Sequence, residues 1–183
     1  ASNAFMTTHM AAAAAGLSWA IVEWIISGRP TMFGAVTGAV AGLVAITPAA
    51  GFVDGMGAIV IGLTVSPLCY FFVSTIKPKL GYDDSLDAFG VPGIGGTWGA
   101  LMTGVFASKA VNAAGADGLL LGNPGLVLIQ LKAVLITVAY SAVVTTAILF
   151  VVKLLMGLRV SQEQEVQGLD LTQHHERAYT ILD

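Results

Sequence analysis

Charge-free stretches dominate the chain, covering residues 1–22, 30–53, 55–76, 88–108 and 133–152. Each reaches or exceeds the roughly 20 residues that a helix needs to cross about 30 Å of hydrocarbon. Short charged breaks separate them, so the pattern predicts five transmembrane helices over about 2–26, 31–47, 56–76, 86–107 and 126–156. A polar tail, 157–183, follows. The fold class read from this pattern is all-α integral membrane, a helical bundle. In the second helix Gly34, Gly38 and Gly42 recur every fourth position, and Gly95 and Gly99 do so in the fourth. Small residues at that spacing share a helical face and let two membrane helices approach closely. The fifth helix has no glycine between Gly125 and Gly157, and Lys132 and Lys153 bracket it. That composition predicts a tilted, lipid-facing helix whose lysines snorkel in opposite directions.

Prolines and polar residues punctuate these elements. Pro30 suits a first turn, where its missing N–H costs little. Pro67 falls in mid-helix, frees a carbonyl and requires a neighbour or hydroxyl to restore the pairing. Asp83, Asp84, Ser85 and Asp87 precede the fourth helix, where acids and hydroxyls cap free N–H groups. Pro92 stands about one turn further on. Trp19 and Trp24 are expected in the inner headgroup region, with Glu23 reaching the interface or pairing with Arg29. His9 reads as a packing or hydrogen-bonding ring, with lining of a polar path as the alternative.

Composition supports a membrane protein: 56% of the 183 residues are apolar and 10% charged, against about 25% charged in soluble domains. Assigning alternate loops to opposite faces puts Arg29, Lys77, Lys79, Lys153, Arg159 and Arg177 on one side and Lys109 and Lys132 on the other. Positive residues favour the cytoplasm, so the first residue is expected outside, the tail inside, and the protein in the cell inner (plasma) membrane. A net charge of −3 without a basic cluster excludes nucleic acid as a natural partner. Cys69 reads as a packing residue, and His174 and His175 as solvated surface. No metal-ligand spacing, phosphate-cradling loop or nucleophile–base pair is evident, so neither an enzyme nor a cofactor is indicated. A glycine-rich bundle with a nearly charge-free interior fits a narrow conduit for a small solute.

Three blocks, "GRPTMFGAVTGAVAGLVAITPAAGFVDGMGAIVIG", "DDSLDAFGVPGIGGTWGALMTGVFA" and "GLRVSQEQEVQGLDLTQHHERAY", resemble in order and spacing the ammonium transporters of the Amt/Mep/Rh family. The resemblance implies an ammonium-transporter-like bundle of eleven spans with an inverted repeat. This chain would correspond to helices seven to eleven plus the cytoplasmic tail. It further implies homotrimers with one pore per subunit, carrying ammonium or ammonia along a hydrophobic pore, and a possible PII-type regulator at the cytoplasmic face around residues 157–170. Thr37, Val40 and Ala88 would line or approach the pore, Thr47 would lie near the outer recruitment site, and Asp84 and Asp87 would mark the cytoplasmic mouth. The family's pore histidine belongs at the fourth place of "FGVHG", where this chain has Pro92. Proline can neither accept a proton nor donate a hydrogen bond. That departure implies altered or weak conduction, or an ammonium sensor in place of a transporter.

Overall fold

The computed structural model describes residues 1–177, and every regular element among them is helical. In chain order the α-helices are α1 (Ser2–Ser27), α2 (Met32–Ile46), α3 (Gly55–Phe71), α4 (Lys77–Leu80), α5 (Ile94–Phe106), α6 (Gly125–Met156), α7 (Gln162–Gln167) and α8 (Leu169–Thr172), with a short 3-10 helix, Leu119–Leu121, between α5 and α6. A π-helical turn, Phe72–Ile76, joins α3 to α4, and a second, Phe89–Gly93, leads into α5. Among the described residues, three helices are long and apolar enough to cross a membrane: Ser2–Ser27, Gly55–Leu80 and Gly125–Met156. With 15 residues, α2 rises about 22 Å. The chain forms two compact units, Ala1–Ile136 and Thr137–Asp183, whose boundary falls within α6.

The first unit is organised around α1, which packs against both α2 and α3. Its buried face is small: Ala11, Ala15 and Ser18 follow helical spacing and end at buried Trp19. Without bulk on that face, neighbouring backbones close in until dispersion between them is maximal. Ala11 is gripped from both sides, because a Cβ at Gly42 of α2 would overlap its carbonyl and so would one at Gly62 of α3. The α5 helix rests on α2 and α3. There a Cβ on Gly99 would collide with the carbonyl of Ala45. Trp19 packs into the protein core, with its ring edge-on to Tyr70 at 5.5 Å.

Hydroxyls repair the backbone where proline breaks it. Pro67 lies inside α3 and offers no N–H to the carbonyl of Leu63, four residues earlier. Ser18 of α1 donates to that carbonyl at 2.8 Å. One turn away the exchange is returned, with Ser66 of α3 donating to the carbonyl of Ala15 at 2.6 Å. The turn after α2 is tied down similarly: Thr7 donates to the carbonyl of Ala50, and the Asn3 amide donates to those of Ala50 and Val53. Glu23 does not turn to Arg29. Both its oxygens accept from Thr31, at 2.8 Å from the backbone N–H and at 3.0 and 3.1 Å from the hydroxyl. An acid near the end of one helix thus supports the start of the next, since Thr31 in turn caps α2 through the Gly34 N–H.

No residue of α6 is buried. In the second unit, Ser161 and Gln164 form a capping box at the start of α7, and Arg159 pairs with Glu165 at 2.9 Å. Gly168, at φ +100°, separates α7 from α8. His174 and His175 are exposed. Residues 178–183 of the expected tail lie outside the described residues.

Candidate functional site

Residues 77–93 carry most of the chemistry singled out in the sequence. After α4 the chain reverses at Gly81, at φ +64°. Asp84 then caps the returning segment, its carboxylate accepting from the N–H groups of Ala88 at 2.8 Å and Phe89 at 3.0 Å. Of the four residues expected to cap this helix, Asp84 makes those contacts. Asp87 instead pairs with Lys77 at 2.7 Å, while the Lys77 ammonium also donates to the Asp84 carbonyl at 2.6 Å. Asp87 holds a left-handed backbone, φ +53°, which Asp tolerates better than most residues.

The π-helical turn explains how Pro92 is accommodated. In an α-helix the carbonyl of Ala88 would accept from residue 92, which has no N–H. Here it accepts from Gly93 at 3.1 Å, five residues on. Widening the ring by one residue passes the donor role to the next amide. The turn is seated on the other π-helical turn: a Cβ at Gly90 would lie 2.7 Å from Cγ2 of Val73. Cys69 lies beneath it as a buried packing residue, its Sγ 4.0 Å from the carbonyl of Val91. Phe89 is flanked by Phe72 at 6.4 Å and Tyr82 at 5.8 Å, both edge-on.

Of the remaining expected pore residues, Thr37 is half-buried on α2 and donates to the Phe33 carbonyl of its own helix at 2.9 Å. Thr47 is exposed at the end of α2 and donates to the Leu43 carbonyl at 2.7 Å. With their protons engaged, both hydroxyls keep lone pairs to offer a passing donor. Val40, Ala88 and Pro92 are exposed. The elements brought together are α2 and the Pro92 turn, which touch directly. His9 faces outward on α1, its Nδ1 2.9 Å from the Phe5 carbonyl and its ring against Phe5. Position 92 therefore carries a rigid apolar ring and no group that binds a proton.

The sequence pattern gives Ser18 no distinct role and marks Lys77 only as a boundary charge. Ser18 could have been found by spacing, since it continues the Ala11–Ala15 face. Lys77 could not: its partners, 7 and 10 residues on, meet it only across the Gly81 reversal.

Residues 1–179 match the model of the Ammonium Transporter Family. The ammonium transporter of Bacillus subtilis is 52% identical over 179 residues, covering 98% of this chain and 44% of that protein. Amt1 of Archaeoglobus fulgidus is 50% identical over 181 residues, 98% of this chain and 45% of that protein. Among solved structures, Saccharomyces cerevisiae Mep2 superposes with a TM-score of 0.82 at 35% identity, covering 88% of this chain and 38% of its own. A protein described as a sensor Amt protein gives 0.82 at 30% identity, covering 94% and 42%. The chain thus spans less than half the length of these relatives, yet the match runs through nearly all of it. A membrane protein built on closely packed, apolar helices, it belongs to the ammonium transporter family.

Proposed function

We propose that this chain supplies part of the pore of a protein that moves ammonium or ammonia across a membrane. The observation that carries this reading is the unbroken family match over residues 1–179. The packing supports it. Glycine-mediated contacts hold α2 and α5 together, and α2 touches the turn that carries Pro92; in this reading Thr37, Val40, Ala88 and Pro92 face the pore. Five segments, near 2–26, 31–47, 56–76, 86–107 and 126–156, cross the bilayer, and the chain past 157 is cytoplasmic. Thr47 lies toward the outer recruitment site, and Asp84 and Asp87 lie at the inner mouth. The assembly is a homotrimer in the plasma membrane with the first residue outside, and a PII-type regulator docks near residues 157–170. The full-length protein, reconstituted in liposomes, is expected to raise methylammonium uptake. Uptake no higher than in empty vesicles would overturn transport.

Pro92 favours a second reading, an ammonium sensor that conducts weakly or not at all. A residue without a titratable nitrogen occupies the place expected for the pore histidine, and one relative by structure is itself described as a sensor Amt protein. Ligand binding without flux distinguishes this reading from transport.

A further inference from the structure

We propose that Lys77 is a positioning residue: a latch that fixes the entry of the Pro92-bearing turn by holding Asp84 and Asp87 together. Its ammonium reaches the Asp84 carbonyl at 2.6 Å and the Asp87 carboxylate at 2.7 Å. The same Asp84 carbonyl accepts the Asp87 N–H at 3.1 Å. Three groups therefore converge on one point, directly before the turn begins. Asp87 adopts φ +53°, a backbone state that Asp reaches more readily than most residues but still at a cost that its surroundings must offset. Its carbonyl then accepts from Val91 at 2.8 Å, so the left-handed residue sets the first rung of the turn that contains Pro92.

The latch also joins the two π-helical turns. Lys77 directly follows Phe72–Ile76, and Asp87 comes two residues before Phe89–Gly93. Val73 and Gly90 supply an apolar contact between these turns, and Lys77–Asp87 supplies a polar one. Two dissimilar contacts between the same pair of turns fix both separation and rotation, whereas one alone leaves a hinge. The ion pair is partly shielded, at 26% and 18% side-chain exposure, which makes it stronger than a fully solvated pair.

This functional role rests on the transport reading above, so the test uses two independent measurements on the full-length protein. Hydrogen–deuterium exchange over residues 84–91 reads the latch itself, and methylammonium flux in liposomes reads its effect on the path. Lys77→Met is expected to speed exchange at Ala88, Phe89 and Val91 and to lower flux about tenfold. Lys77→Arg, which preserves charge and reach, restores both. Asp87→Asn keeps a residue that tolerates the left-handed backbone, removes the charge, and matches Lys77→Met. Unchanged exchange in Lys77→Met, or wild-type behaviour of Asp87→Asn, overturns the latch. Faster exchange with undiminished flux overturns its role in positioning the path. A wild-type protein without flux would sink the transport reading, and the latch would then stand or fall on exchange alone.

Discussion

The Ser18 hydroxyl donates at 2.8 Å to the carbonyl of Leu63, the acceptor that Pro67 leaves without an amide. A helix breaker in α3 and a polar residue on α1 are thus one arrangement, placed where water cannot stand in for the missing donor. Ser18→Ala strands that carbonyl and is expected to cost about 1–3 kcal/mol, measured by thermal unfolding in detergent. Adding Pro67→Ala returns an N–H to α3 and should recover much of the loss. Simple additivity in this double-mutant cycle would sever the link between the two residues.

The grip on Ala11 makes a second prediction. Gly62→Ala places a Cβ against the Ala11 carbonyl, which is backbone and has no room to yield. The α1–α3 contact must open, destabilising by about 1–3 kcal/mol. By contrast Gly51→Ala, where a Cβ would meet nothing within 4 Å, should leave the melting temperature close to wild type. Equal behaviour of the two variants would contradict the packing described.

Glu23 tests helix capping across a loop. Glu23→Ala frees the Thr31 N–H and hydroxyl together and is expected to cost about 1–2 kcal/mol. Arg29→Ala should matter less, because the Glu23 carboxylate is engaged by Thr31. A larger melting shift for Arg29→Ala than for Glu23→Ala would reverse this assignment.

At the candidate pore, Pro92→His is expected to raise methylammonium flux in the full-length protein, because it restores a ring nitrogen that can relay a proton. Pro92→Ala serves as the control for losing the proline alone. Flux that is unchanged in both would show that position 92 does not limit conduction.

Much of this was legible in the sequence because one-dimensional spacing carries it. Glycines four apart announce a close-packed face, and Gly38, Gly42 and Gly99 all meet a neighbouring helix where a Cβ would not fit. Pro67 announced an orphan carbonyl, though not which helix would serve it. The burial of Trp19 was not legible, because an amphipathic ring suits an exposed interface and a core equally well, and its packing against Tyr70 is tertiary. Asp84 and Asp87 looked alike as acids before a helix. They differ because the Gly81 reversal brings Lys77 to the carboxylate of Asp87 but only to the backbone carbonyl of Asp84, leaving the Asp84 carboxylate to cap the turn, a distinction that no local pattern encodes.

The wide rung at Pro92 reaches beyond its own residue. Five residues where an α-helix would use four turn everything downstream by about 100°. Helical phase in α5 is therefore set before α5 begins, and it is this phase that points Gly99 at the Ala45 carbonyl. Were the rung to narrow, a neighbour bearing a Cβ, Trp98 or Ala100, would swing toward a place with no space for one. A proline in one turn and an absent methyl group two turns later are thus a single constraint, written at two separated positions of the chain.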